Sequence, residues 1–325
     1  MAAADRLHGL DALRGIAALC VVGLHTGAVF GGFPYFAKGY LAVDFFLMLS
    51  GFMMARVTEP RLAAGLDPLR FMQGRYRRFW PIVALGSVIG IPYLWVRAGG
   101  AWDPFLPALI ANFLLLPWPV ANLLFALNIP VWTIFFELVA NAVHVLALHR
   151  VRTRTIAVLA LIALALTIYV AMRFGSLDVG ARPATFLGGF PRIFLAYLIG
   201  ILLWRTRGDT ALSFIPGWLA MTALPAAILA SWAVGWRHWS FDLAFVLAVC
   251  PLTILGALGL RRATRIGWLS AAMSFPLFAV HLPILEAARE LGYGVRTAAP
   301  LAFALTALIV WWTNRPARRM AAPQA

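Results

Sequence analysis

The stretch DALRGIAALCVVGLHTG, residues 11–27, is apolar enough to lie in a bilayer and yet carries Asp11, Arg14 and His25. Read as a helix, Arg14 and His25 are eleven residues apart, close to three full turns. They therefore share one face, roughly 16 Å apart along the axis. Asp11 lies three residues before Arg14, within pairing distance on the same surface. Each of these groups is costly against lipid, so the face that carries them must look into the protein or into an aqueous cavity.

The rest of the chain agrees with a membrane setting. Of its 325 residues 62% are hydrophobic and only 12% charged, whereas a soluble domain is near half apolar and a quarter charged. Apolar segments approaching span length fall at residues 10–30, 39–57, 80–96, 130–148, 155–172, 186–204, 212–234, 240–260, 268–288 and 298–313. The expectation is an all-α polytopic membrane protein of about ten transmembrane helices, a single domain over 1–325. The stretch 102–128 is apolar but broken by Pro104, Pro107, Pro117 and Pro119, and it reads as an outer loop with interfacial or re-entrant helices.

The net charge of +15 would suggest nucleic acid in a soluble protein. Here it has a topological origin. Arginines cluster in every second loop: Arg56, Arg61, Arg70, Arg75, Arg77 and Arg78; then Arg150, Arg152 and Arg154; Arg205 and Arg207; Arg261, Arg262 and Arg265; Arg315, Arg318 and Arg319. Alternate loops hold only Lys38, Arg97, Arg173, Arg182, Arg237, Arg289 and Arg296. By the positive-inside rule both termini are assigned to the cytoplasm, and no nucleic-acid partner is needed. The cysteines, Cys20 and Cys250, sit in apolar segments as packing residues. No grouping of His, Cys and carboxylates has metal-ligand spacing.

With that topology, depth follows from the helical rise. His25, Asp44, Glu137, Arg192 and His281, from five different spans, are expected in the outer half at similar depth, and to share a functional cavity. A second feature is LRFMQGRYRRFWP, residues 69–81, before the third span. Its arginines and aromatics suit lipid headgroups, a phosphate ligand or a nucleobase, and spacing alone leaves these open. Ser50, next to Gly51, reads as a helix-packing hydroxyl rather than a nucleophile, and Trp132 as part of the interfacial aromatic belt.

In order along the chain stand Arg14 and His25 separated by ten residues, AVDFFLMLSGF over 42–52, Arg75 and Arg78, Trp132-Thr133 with Glu137, and FPLFAVHLP over 275–283. Together these motifs resemble the integral membrane acyltransferases of acyltransferase family 3, over nearly the whole chain. Ala42 stands where the family usually has glycine, and Phe275, Phe278 and Ala279 replace its usual residues around His281. The resemblance implies transfer of an acyl group, usually acetyl, from acyl-CoA (acetyl-CoA) to a hydroxyl of a carbohydrate, an envelope glycan, a lipid-linked acceptor or a secreted small molecule, in the inner (cytoplasmic) membrane of a bacterium. It also implies roles: Arg75 and Arg78 for the donor phosphates, Arg14 for guiding the donor, and His25 as general base or acyl acceptor. Glu137 or Asp44 would orient His25, a structural pair with Arg192 being the alternative for Asp44. Arg192 would stabilise oxyanion charge or simply pair with an acid, and His281 would be a second acid/base or a structural hydrogen-bonder. With no extracytoplasmic domain expected, the acceptor is acylated directly or through a separate extracytoplasmic partner. The competing class is a proton-coupled transporter of an anionic or sugar-linked substrate, with Asp44, Glu137, His25 and His281 as a relay.

Overall fold

The computed structural model describes residues 6–262 and 264–313; Arg315, Arg318 and Arg319 lie outside the described residues. Its helices are α1 (His8–Phe30), α2 (Ala42–Met53), α3 (Pro68–Arg97), α4 (Trp102–Phe113), α5 (Val131–Leu146), α6 (Thr153–Phe174), α7 (Phe186–Arg207), α8 (Gly217–Ala233), α9 (Trp239–Ala257), α10 (Arg265–Glu290) and α11 (Val295–Thr313). Eight of the helical segments are long and apolar enough to cross a membrane, and α5 and α8 are shorter apolar helices. That is the all-α, multi-pass architecture expected, with ten membrane-type segments and α4 beside them. Among the described residues there is no β-strand, only the isolated bridges Trp118–Phe125 and Val120–Leu123.

Two segments depart from the sequence reading. The arginine-rich stretch before the third span is helical rather than a loop, because α3 begins at Pro68. Asp67 caps it by accepting from the Arg70 N–H at 2.7 Å, and proline at the first helical position has no N–H to lose. Arg75 and Arg78 thus lie one turn apart on one helix face. In the proline-broken stretch, α4 ends at Phe113 and an irregular segment runs back into the bundle. There Asn112 ties the backbone together, donating to the carbonyls of Leu116 and Leu124 and accepting from the Leu127 N–H. Buried irregular backbone is tolerated because those polar groups are satisfied within the protein.

The two ends of the bundle differ in chemistry. At one end Arg205 donates to Glu59 and to the carbonyls of Leu148 and Val151, and Arg56 pairs with Asp209. The Gly9 N–H there donates to the Leu260 carbonyl. All the clustered arginines of the described residues belong to this arginine-rich end. At the other end Lys38 and Tyr40 bond to Asp242, and Arg97 pairs with Glu286.

Close helix contact sets the depth of the polar groups. A Cβ at Gly200 of α7 would stand 1.9 Å from the Met48 carbonyl oxygen, and one at Gly51 of α2 would stand 2.1 Å from that of Tyr197. These glycines let the two backbones touch, which brings Arg192 of α7 level with Asp44 of α2. A π-helical turn, Met54–Thr58, then carries α2 on to Glu59–Ala63, and it is near this turn that α2 meets the start of α1.

Candidate active site

His25 and His281 meet between α1 and α10. His25 Nδ1 lies 2.7 Å from His281 Nε2, with the rings near-parallel, 19° between their planes. The second nitrogen of His281, Nδ1, is 2.9 Å from the carbonyl oxygens of both Leu277 and Phe278. Carbonyls only accept, so the proton assignment follows from the partners: His281 Nδ1 carries hydrogen and donates to them. Its Nε2 is therefore a lone pair that accepts from His25 Nδ1–H. In neutral His25 the remaining nitrogen, Nε2, is then an unprotonated base. His281 is fully buried, whereas His25 is half-buried, so it is the reachable member of the pair.

Toward the arginine-rich end the same face of α1 leads to Arg14, with Ala18 and Val21 between them, both buried. Arg14 and Asp11 line a cavity of about 250 Å³ together with Leu7, Leu10, Met53, Arg56 and Val57. Phe46, Ser50 and Met53 follow one another along one face of α2 at helical spacing, and Val57 stands beyond them on the π-helical turn. Phe46 meets Phe278 edge-on at 6.0 Å, and Phe278 lies 6.2 Å from the His281 ring. Arg14, Met53, Ser50 and Phe46 thus form a lane of side chains from the arginine-rich end toward the histidine pair, with the cavity at its Arg14–Met53 end.

Beside that lane stands the second group. Arg75 Nη2 donates to Glu137 Oε1 at 2.6 Å, and Ser50 Oγ donates to the same oxygen at 3.0 Å. Arg75 also stacks over Phe79, 5.0 Å from the ring centre. The charges of Asp11, Arg75, Arg78 and Glu137 all act on Arg14, so these residues form one electrostatic cluster. Ser50 is more than the packing hydroxyl its place beside Gly51 suggests, because its oxygen holds Glu137.

The third group is separate. Arg192 gives Nε and Nη2 to Asp44, at 3.0 Å and 2.7 Å, and donates from Nη1 to the Val179 carbonyl and again from Nη2 to that of Tyr40. Its guanidinium lies between the rings of Tyr40 and Trp132, 5.6 Å from each. Both charged side chains are wholly buried. Asp44 is thereby consumed by Arg192, and Trp132 is an interior packing partner rather than a belt residue. Next to this pair Asp242, which sequence reasoning passed over, accepts from Lys38 Nζ at 2.6 Å, from Tyr40 OH at 2.7 Å and from the Leu177 N–H at 2.9 Å. An acid just inside an apolar segment was its only signal.

The expected convergence of five ionisable groups at one depth is thus corrected. His25 joins His281, Asp44 joins Arg192, and Glu137 joins Arg75 and Ser50 nearer the arginine-rich end. The partner that orients His25 is His281 and not a carboxylate. The reason is rotational: α5 turns Glu137 toward the start of α3, and α7 covers Asp44 completely.

This arrangement sets a histidine pair between α1 and α10 and an arginine-lined cavity at the other end of α1, and comparison with known proteins gives the chain a class. A family model described as an acyltransferase domain matches residues 7–315. Protein 2 in picA locus, from Rhizobium radiobacter, is 35% identical over 158 residues, covering 43% of this chain and 81% of that protein. No solved structure matches. The protein is a multi-pass membrane acyltransferase. It belongs to the integral membrane acyltransferases of acyltransferase family 3.

Proposed function

We propose that the protein moves an acyl group of acetyl size from cytoplasmic acyl-CoA to a hydroxyl of a carbohydrate, envelope glycan or lipid-linked acceptor. The membrane is the cytoplasmic membrane, with the arginine-rich end and both termini in the cytoplasm. The carrying observation is the tautomer forced on His25: the Leu277 and Phe278 carbonyls fix His281, and His281 leaves His25 Nε2 as a lone pair. A base held in one tautomer at the end of an arginine-lined lane suits acid–base acyl transfer.

The donor phosphates bind at Arg75 and Arg78, and Arg14 guides the donor at the mouth of the cavity. Arginine forks match phosphate oxygens, and three of them attract an anionic donor. The thioester then rises past Ser50 and Phe46 to the histidines. His25 Nε2 takes the proton of the acceptor hydroxyl as its oxygen attacks the thioester carbonyl. The carbon–sulfur bond breaks, and the imidazolium returns that proton to the departing thiolate. Positive charge on His25 during the step is shared through Nδ1–H with His281. Arg192 has no part in oxyanion stabilisation in this scheme, since it is wholly buried against Asp44 and gives four of its five N–H groups to Asp44 and two carbonyls.

The test avoids the acceptor. Protein in lipid nanodiscs is titrated with acetyl-CoA, and slow release of free thiol is followed for wild type, His25→Ala and the Arg75→Ala, Arg78→Ala double variant. The expected result is binding that needs the arginines and thiol release that needs His25. Saturable binding of no acyl-CoA, or full thiol release by His25→Ala, overturns the reading. Uptake of a sugar-linked or anionic solute driven by a proton gradient, with no acyl-CoA consumed, favours a transporter instead.

A further inference from the structure

Two of the three arginines assigned to the donor are already engaged by the chain's own carboxylates. Glu137 holds Arg75, and Asp11 holds Arg14 at 3.0 Å. Arg75 has a second, idle donor: its Nε is buried and has no partner. Arg78, one turn further along α3, is exposed, and its guanidinium feels Arg75, Glu137 and Asp11 only through space. A fork with one Nη on a carboxylate and its Nε unused is a half-filled anion site.

Glu137 also joins three helices. It reaches from α5 to Arg75 on α3 and to Ser50 on α2, and Ser50 belongs to the α2 face that lines the lane. While Glu137 holds both, it ties α3 to α2 at Ser50, between the cavity at Arg14 and the histidine pair.

We propose that Glu137 is an internal competitor for the donor: its carboxylate occupies on Arg75 the place of a coenzyme A phosphate, so that donor binding and the Arg75–Glu137 pair exclude one another. This rests on the reading of Arg75 and Arg78 as the donor site. The exchange has a physical direction. A phosphate carries more negative charge than a carboxylate and offers three oxygens, so it can use both Nη2 and the idle Nε. Arg78, exposed and without a carboxylate of its own, is where the phosphate lands first. Arg75 then turns from Glu137 to the phosphate, and Glu137, losing its cation, releases Ser50 and the lane. With no donor present the pair neutralises a cationic cluster at the edge of an apolar bundle.

A pair serving only as a strut makes the opposite prediction, since removing a strut loosens the site and weakens binding. The experiment is isothermal titration of acetyl-CoA into nanodisc-embedded protein for wild type, Glu137→Gln, Glu137→Asp and Ser50→Ala. Both side chains keep about one-fifth exposure, at 20% and 23%, so solvent screens part of the pair. The expected gain is about two- to five-fold tighter binding in Glu137→Gln. Glu137→Asp keeps the charge but is one methylene too short for the 2.6 Å contact, and it too should tighten binding. Ser50→Ala, the least disruptive variant, moves the dissociation constant in the same direction by less. In an Arg75→Ala background the Glu137 substitutions should have no further effect.

Unchanged or weaker binding in Glu137→Gln and Glu137→Asp overturns the proposal. So does tightening in Glu137→Gln alone, or equal tightening with Arg75 absent, because either result means net charge and not competition at Arg75. Absence of binding in wild type with binding in Glu137→Gln supports it. If wild type and every Glu137 variant fail to bind, the donor assignment itself falls.

Discussion

Replacing His281 by leucine removes the acceptor for His25 Nδ1–H and leaves the volume of the α1–α10 contact largely filled. The structure allows the consequence to be worked through. In the wild type two carbonyls at 2.9 Å fix one tautomer of His281, and one contact at 2.7 Å transmits that choice to His25. Without the acceptor, the lone pair of His25 is free to sit on Nδ1 as well as Nε2, and the ring is free to rotate. General-base catalysis by a positioned side chain contributes about 10²–10⁴ in rate, and most of that depends on tautomer and orientation. We therefore expect His281→Leu to lower kcat by about 10²-fold or more. His281→Gln, whose amide oxygen can still accept from His25 Nδ1–H, should recover much of the loss. The assay is thiol release from acetyl-CoA by nanodisc-embedded protein, with the donor dissociation constant measured separately and expected to hold. His25→Ala and the double variant His25→Ala, His281→Leu should fall to a common floor, because residues acting as one unit do not add. Activity of His281→Leu within about threefold of wild type, or losses that multiply in the double variant, would refute the argument.

Asp44→Ala leaves Arg192 buried without its counter-charge and should cost about 3–5 kcal/mol of stability, read as a lowered unfolding temperature in detergent. Asp44→Leu together with Arg192→Met should restore much of that loss, which separates an architectural pair from a catalytic one. Gly200→Ala would force a methyl to within 1.9 Å of the Met48 carbonyl, so the α2–α7 contact should open at a cost of about 1–3 kcal/mol and lower the folded yield. Loss of Arg75 and Arg78 together should weaken acetyl-CoA binding by about tenfold per lost charge-assisted contact, and raising salt should shrink the difference between wild type and variant.

Much of the architecture was legible because it depends on quantities additive along the chain. Apolar runs of span length place the helices, and the loop arginines sort the two ends of the bundle. The shared face of Arg14 and His25 follows from the helical period within one element, as does that of Arg75 and Arg78. The start of α3 was missed although Asp67-Pro68 is a helix-opening pair, because the charged turns beyond it looked too polar for a span. A helix can open with charged turns and continue as an apolar span, as α3 does from Pro68 to Arg97.

The grouping of the polar residues lay beyond the sequence. Depth estimates put His25, Asp44, Glu137, Arg192 and His281 close together, yet depth is one coordinate of three. The missing coordinates are the rotation of each helix about its axis and the choice of its neighbours. Both are set by packing between residues distant in sequence, such as Gly51 and Gly200 at the α2–α7 contact, which delivers Asp44 to Arg192. They also decide that His25 is oriented by an imidazole, that Glu137 joins Arg75 to Ser50, and that Asp242 ties Lys38 to Tyr40. The sequence alone determined the membrane class, the spans and the faces within each helix, since those obey local periodicity. Which charge meets which was decided only by the tertiary structure, because a buried ionisable group must find its partner across helices whose relative rotation no local pattern encodes.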